Sequence, residues 1–336
     1  METDKYSRNN YTSNLGIEIL RMILCFWVIS FHFAGNTNKI KYKILNTFYH
    51  VPTFMLISFY FSYNTFISND ITKCKKRLER LLIPYIIWPI IFLSISISFD
   101  SINIKQLIIK LSLQYLTGYK IMIFLWFIQI LIFFGIFFQI IFILFKKQSL
   151  LILQIFAIIS YFIQYKEINY RIFFYYSPHL RSVSHIAEMM PIAVTGLTLR
   201  NIDIFKILSK KKIKSISFSM ISLYFIYNYN VFGQFKGFPY SGIKQNLAGI
   251  CLFISFSLIP LNTLKNRIII NNIKVITKYT GGIYYLQLIN FYILRRIKFL
   301  NQRPFFMCFI IYFFGYLICT LFTKLFRNNR LKYLFI

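Results

Sequence analysis

The stretch GIEILRMILCFWVISFHF, residues 16–33, decides the fold, because it is apolar over a bilayer-crossing length yet carries three ionisable side chains. A helix rises 1.5 Å per residue, so about 20 apolar residues cross ~30 Å of hydrocarbon. Arg21 and His32 are three helical turns plus about 20° apart, which places them on one face, about 16 Å apart along the axis. Ionisable side chains inside a span usually line a cavity or a reaction path. The segment therefore predicts a membrane helix and a candidate site.

The composition is that of a membrane protein. Hydrophobic residues make up 57% of the 336 residues and charged residues only 14%, which is too little charge for a soluble domain of this size. The net charge of +30 comes from basic residues that lie mostly between the apolar runs. Membrane topology and anionic lipid headgroups account for that pattern, so we predict membrane lipids and no nucleic acid as partners.

Apolar runs of roughly 17–25 residues recur along the chain and predict an all-α, polytopic transmembrane bundle of about ten spans. No separate soluble domain remains between them, so residues 1–336 are predicted to form a single integral-membrane domain. The predicted spans are residues 16–34, 48–67, 81–99, 122–145, 149–165, 185–200, 216–232, 246–262, 279–294 and 305–326.

The basic segments predict the orientation. The segment KCKKRLER, residues 73–80, and the lysines of residues 210–214 fall on the same side as both termini. The positive-inside rule then places both termini in the cytoplasm. The five cysteines include no CxxC pair, so we predict neither a disulfide framework nor a metal site.

Several motifs occur in a shared order along the chain. They are Arg21-x10-His32, HVPTFMLISFYFS (50–62), Arg77-Leu78-Glu79-Arg80, RLLIPYIIW (80–88), LWFIQILIF (125–133) and GGIYYLQLI (281–289). Together they resemble the acyltransferase-3 family of integral-membrane O-acyltransferases, of the type that O-acetylates surface glycans. Two positions depart from the family pattern: Phe59 stands where many members have glycine, which predicts different packing of the second span, and Gln287 stands about where many have histidine.

The resemblance implies roles for six residues. His32 is the general base that removes the proton of the acceptor hydroxyl, with an acyl-histidine intermediate as the alternative. Arg21 lies lower in the same cavity and holds the donor or orients other groups. Arg77 and Arg80, on a cytoplasmic loop, bind the phosphates of the donor. Glu18 and His50 are supporting residues.

The resemblance implies a protein of a bacterial inner membrane that transfers an acyl group, acetyl above all, from cytoplasmic acetyl-CoA to a hydroxyl of a surface glycan. The acceptor is a lipid-linked O-antigen of lipopolysaccharide, a capsule or an exopolysaccharide, and no cofactor is permanently bound. The alternative is a non-enzymatic polysaccharide exporter or lipid-linked glycan flippase, since many spans and basic cavities suit those proteins too. A glycan polymerase is less well matched, because it usually has a large outer loop.

Other readings of single residues stay open from the sequence. Glu18 is placed to pair with Arg21, which would make the arginine structural, and His32 taken alone also fits an inert histidine at the membrane interface. The outer loops at residues 166–184 and 227–241 are rich in aromatic residues, which fits either a sugar-docking surface or an interfacial belt. Glu188 is a further acid inside a span, with no partner assigned.

Overall fold

The structure, a computed structural model, describes residues 14–33, 49–97, 104–117, 122, 125–166, 178–208, 212–231, 243–259 and 267–336. Within these ranges the regular secondary structure is entirely helical. The α-helices are α1 Leu15–Phe33, α2 His50–Ile67, α3 Ile71–Ile97, α4 Ile104–Thr117, α5 Trp126–Phe145, α6 Ser149–Lys166, α7 Pro178–Asn201, α8 Ile204–Leu208, α9 Lys212–Val231, α10 Ile243–Leu258, α11 Arg267–Lys278, α12 Thr280–Leu294, α13 Lys298–Asn301 and α14 Pro304–Leu325. Short 3₁₀ helices lie at Lys146–Gln148 and Arg330–Leu334.

Each of the ten predicted spans falls on a helix, which confirms the all-α class. Four helical stretches of the described chain are long and apolar enough to cross a membrane, so the number of ten spans stays a prediction. These stretches are Leu15–Phe33, Ile71–Ile95, Trp126–Ile163 and Pro304–Leu325. Four helices of the described chain, α4, α8, α11 and α13, lie between the predicted spans, where the sequence predicted loops.

Helix α1 lies inside the bundle and packs against α2, α10, α11, α12 and α14. Asn14 fixes its start, because the side-chain oxygen accepts a hydrogen bond from the backbone N–H of Gly16 at 3.0 Å. The same side chain donates through Nδ2 to the carbonyl oxygen of Ser257 at 2.8 Å, which ties α1 to the end of α10. The helix that carries Arg21 and His32 is therefore held by its neighbours on several sides.

Two glycines let helices approach α2 closely. A Cβ added at Gly196 of α7 would lie 2.5 Å from the carbonyl oxygen of Leu56, and one at Gly249 of α10 would lie 2.7 Å from Oγ1 of Thr53. Neither position has room for a side chain, so both glycines are required by these contacts. Small residues serve the same purpose in membrane helix packing generally.

A set of phenylalanines joins α2 to α5. Ring centroids lie 6.4 Å apart for Phe54 and Phe127, 5.9 Å for Phe59 and Phe134, and 5.7 Å for Phe66 and Phe142. Because the partner numbers rise together, α2 and α5 run in the same direction. The start of α5 therefore lies beside the start of α2, near His50, and this direction positions the site.

Helix α3 begins ten residues before the predicted span, at Ile71. The Asp70 side chain caps it by accepting hydrogen bonds from the hydroxyl of Thr72 and the backbone N–H of Lys73. These two bonds favour the charged form and hold the pKa of the Asp70 carboxyl below its ordinary value. The motif at residues 77–80, predicted for a cytoplasmic loop, consequently lies on a helix.

The segment after α14 folds back over α3. The Trp88 indole donates to the carbonyl oxygen of Leu334 at 3.3 Å, and Arg330 pairs with Glu79 at 3.4 Å. The Phe335 ring stacks on Phe322 of α14 at 5.0 Å. Residues 330–336 thus form part of the wall around the end of α3 that carries the basic motif.

Candidate active site

One cavity of about 760 Å³ lies between α1, α2, α3, α5 and the start of α12. Its volume is within the range of small-molecule and cofactor sites, roughly 300–1,000 Å³. Its lining includes all six residues that the sequence singled out, which are Glu18, Arg21, His32, His50, Arg77 and Arg80. Residues from helices far apart in sequence therefore meet at one site, while the roles assigned to them stay predictions.

One end of the cavity is strongly cationic. We call it the basic end, and its charged residues are Glu18, Arg21, Lys73, Lys76, Arg77, Arg80 and Lys278. Among the described lining residues, these are six basic side chains against a single acid. Such an excess of positive charge in a partly enclosed space favours an anionic ligand.

Arg21 is fixed at the basic end by two contacts. Its Nη1 lies 3.2 Å from Oε2 of Glu18, one turn earlier on α1, and its Nη2 donates to Oγ1 of Thr280 at 3.3 Å. The pairing of Glu18 with Arg21 that the sequence allowed is therefore present. Because the Arg21 side chain also keeps 34% of its surface exposed, the ion pair leaves it accessible to a ligand.

Arg77 lies inside the bundle between α2 and α5. Its guanidinium carbon lies 5.0 Å from the Phe59 ring and 5.4 Å from the Phe66 ring, and Nη2 donates to Oγ of Ser58 at 3.2 Å. Its Nη1 is buried and has no hydrogen-bond partner among the described residues. Phe59, the residue that replaces the family's glycine, thus forms part of the aromatic surface that holds Arg77.

Arg80, one turn further along α3, has a different environment. It is exposed, and its guanidinium carbon lies 5.7 Å from the ring of Tyr333 in the segment that folds back over α3. The two arginines of the motif are therefore not equivalent, since Arg77 is held by aromatic rings while Arg80 is free to adjust to a ligand.

The other end of the cavity is formed by His32, His50 and Trp126, and we call it the histidine end. His32 is half-buried in the last turn of α1, and His50 is buried at the first residue of α2. The Phe31 ring lies next to both imidazoles, with centroid distances of 5.3 Å to His32 and 5.5 Å to His50. The two histidines therefore face one cavity end from two helices.

Behind the histidine end lies the acid for which the sequence gave no partner. Glu188 of α7 is fully buried, and its Oε2 lies 2.6 Å from Nδ1 of His185. The His185 ring in turn stacks on the indole of Trp126, with centroids 4.3 Å apart and planes at 24°. A buried pair of ionisable side chains is thus in direct contact with a residue of the cavity wall.

The acyltransferase domain model of the acyltransferase-3 family matches residues 14–329 of the chain. The chain belongs to this family. No curated protein and no solved structure gives a significant match. Family membership confirms the resemblance drawn from the motifs and supports a membrane acyltransferase.

Two further features of the sequence, Gln287 and the aromatic loops, can be compared with the structure. Gln287, where many members have histidine, is fully buried and is not one of the residues that line the cavity. Neither atom of its side-chain amide has a hydrogen-bond partner within the described ranges. Most of the two aromatic loops predicted at residues 166–184 and 227–241, namely residues 167–177 and 232–241, lies outside the described residues, so their proposed role with sugars is untested.

The structure adds residues to the acyltransferase's cavity that the sequence analysis missed. Lys73 and Lys76 repeat at helical spacing with Arg77 and Arg80, so periodicity would have found them once the segment was read as a helix. His185 lies behind the cavity wall rather than in the lining, and its spacing from Glu188 is that of neighbours on a helix. No pattern in the sequence indicates Lys278, because it reaches the basic end only through the packing of α11 and α12 against α1.

Proposed function

We propose that this acyltransferase moves an acetyl group from cytoplasmic acetyl-CoA to a hydroxyl of a lipid-linked surface glycan in a bacterial inner membrane. The observation that carries the proposal is a single cavity with a cationic end and an imidazole end. The two ends are separated by the distance from Arg21 to His32 on α1, about 16 Å for eleven residues of helix. A donor with a phosphate-rich head and a long thioester arm matches that arrangement.

The basic end suits the nucleotide portion of coenzyme A. Phosphates are bound well by guanidinium and ammonium groups, and Arg80 is both exposed and part of the cavity lining. The buried Nη1 of Arg77 lacks a partner in the described chain, so it retains a hydrogen-bond donor that the fold does not use. With the termini in the cytoplasm, this end faces the compartment that holds acyl-CoA.

The histidine end supplies the chemistry. His32 removes the proton of the acceptor hydroxyl as its oxygen attacks the thioester carbonyl, and a positioned imidazole contributes roughly 10²–10⁴ in rate to such a step. The C–S bond then breaks, the acetyl group remains on the sugar oxygen, and the coenzyme A thiolate leaves and takes up a proton. His50 lies at the same cavity end and supports this reaction.

Glycan analysis of living cells tests the proposal. A deletion strain is complemented with the wild type, with His32→Ala, or with Ile23→Ala as a matched control on an exposed face of α1. We expect mass spectrometry to show one acyl group per glycan repeat with the wild type and the control, and none with His32→Ala. Full acyl content in cells whose membranes contain only His32→Ala protein would overturn the assignment of His32. A wild type that adds no acyl group would overturn the reaction.

A further inference from the structure

The proposed reaction leaves one part of the site without a role, the segment at residues 330–336 that folds back over α3. We call this segment the strap. It lies outside residues 14–329, the part of the chain that the family model matches. Ile336 nevertheless lines the cavity, and Leu334 and Phe335 are buried, with 5% and 6% of their surface exposed. The strap is therefore packed into the site as part of its wall.

The strap joins α3 to α12, two of the helices that form the basic end. On the side of α3, Arg330 of the strap pairs with Glu79 at 3.4 Å. On the side of α12, a Cβ added at Gly281 would lie 2.8 Å from the main-chain oxygen of Ile336, so the strap reaches this helix only because Gly281 has no side chain. Gly281 and Ile336 both line the cavity. The strap thus crosses the wall of the basic end from one helix to the other.

Between these two attachments the strap brings the half-buried Tyr333 to the exposed Arg80. The guanidinium carbon of Arg80 lies 5.7 Å from the centroid of the Tyr333 ring, within the reach of about 6 Å for a cation–π contact. Such a contact uses the face of the ring and none of the N–H groups of the arginine, so these donors remain for a ligand.

The contact matters because ordering a long side chain costs free energy. An exposed arginine has many rotamers, and a ligand that binds it must overcome the entropy of fixing one of them. A ring that already restricts the guanidinium group reduces this cost without replacing the ligand. Arg77 is held in the same manner by the rings of α2, whereas Arg80 depends on a ring from a different part of the chain.

We propose that Tyr333 is a positioning residue for donor binding, which holds the guanidinium group of Arg80 at the basic end. The ion pair of Arg330 with Glu79 keeps the strap, and with it Tyr333, in place. The proposal rests on the proposed function and deepens it, since it makes the strap a part of the site that binds the phosphates of the donor.

Donor titration tests the role of Tyr333. The full-length protein in lipid nanodiscs is given acetyl-CoA and the lipid-linked glycan isolated from the deletion strain. We expect Tyr333→Leu to raise the donor KM roughly two- to fivefold and to leave kcat and the acceptor KM unchanged. Tyr333→Phe keeps the ring and should restore the donor KM of the wild type. Arg327→Ala removes an exposed cation that does not line the cavity and should leave all three values unchanged.

A double-mutant cycle tests whether Tyr333 acts through Arg80. In the Arg80→Ala background, Tyr333→Leu should add almost nothing to the donor KM. Equal effects of Tyr333→Leu in both backgrounds, or a fall in kcat with a rise in both KM values, would show a general structural role and would overturn the proposal. An unchanged donor KM in Tyr333→Leu would also overturn it, while leaving the reaction intact.

The anchor of the strap gives a test in which two explanations predict opposite signs. The Arg330 and Glu79 side chains keep 73% and 20% of their surface exposed, so breaking this pair should loosen the strap without unfolding the bundle. Removal of an acid near the basic end would by charge alone lower the KM of an anionic donor. We expect Glu79→Ala instead to raise the donor KM about twofold, because Tyr333 is no longer held. An unchanged or lower donor KM would exclude the anchoring role. A wild type that transfers no acetyl group at all would instead overturn the proposed function itself.

Discussion

The two ends of the cavity differ in the kind of side chain that lines them. The basic end presents charged side chains from α1, α3 and α11, several of them exposed, whereas the histidine end presents buried rings from α2 and α5 and a half-buried imidazole from α1. Charged side chains at a solvent-exposed surface attract a ligand of opposite net charge at long range. Closely packed rings select a ligand by its shape at contact distance. On the proposed function, this difference predicts that the donor is selected by charge and the acceptor by fit.

The largest expected effect separates chemistry from donor binding. His32→Gln keeps a side chain that can form hydrogen bonds but removes the imidazole that accepts a proton. We expect kcat to fall by roughly 10²–10⁴ while the donor KM changes less than about twofold. Steady-state kinetics in nanodiscs measures both values. A donor KM that rises as much as kcat falls would mean that the two ends do not act separately.

The second effect concerns the arginines of α3. Removal of both guanidinium groups with Arg77→Ala and Arg80→Ala should raise the donor KM by roughly 10- to 100-fold, because charge-assisted hydrogen bonds to phosphate are lost. The acceptor KM should change much less. Titration of acetyl-CoA at a fixed glycan concentration gives these values.

The controls for this prediction come from the same helix. Lys75→Ala removes an exposed cation that does not line the cavity and should leave both KM values unchanged. The single change Arg80→Ala avoids disturbing the buried ring contacts of Arg77, so it separates donor binding from folding. Normal acetyl-CoA titration in the single and double variants would exclude phosphate binding by this motif.

The smallest expected effect concerns Lys278, which lines the basic end of the cavity from α11. Lys278→Ala should raise the donor KM about two- to fivefold at low salt, as expected for an exposed charge pair. The KM of the wild type should also rise with ionic strength, because salt shortens the screening length from about 10 Å at 0.1 M to about 3 Å at 1 M. Lys274→Ala, exposed on the same helix and absent from the lining, is the control. Identical salt curves for Lys278→Ala and the wild type would remove Lys278 from the donor site.

The sequence predicted those parts of the site that depend on a single helix. The shared face of Arg21 and His32 followed from the helical repeat, and the pairing of Glu18 with Arg21 followed from their spacing. The positions of the ten helices followed from the apolar runs. Each of these features is local, so it requires no knowledge of how the helices pack.

Features that depend on packing could not be predicted in this way. The basic run 73–80 predicts a cytoplasmic loop for Arg77, whereas α3 begins at Ile71 and places the guanidinium group against the Phe59 and Phe66 rings of α2. The stacking of His185 on Trp126 joins residues 59 positions apart. Nothing in the local pattern of either helix specifies that contact.

The position of both key residues on α1 has a mechanical consequence. Because backbone hydrogen bonds fix the rise per residue, the helix sets the distance between Arg21 and His32, and on the proposed function it acts as a ruler for the length of the donor. One residue inserted between Arg21 and His32 would lengthen the ruler by only about 1.5 Å but would rotate the imidazole by about 100°. On the proposed function, only insertions of whole turns would change this distance and keep both side chains on one face, and a donor with a shorter arm would hold its thioester away from His32.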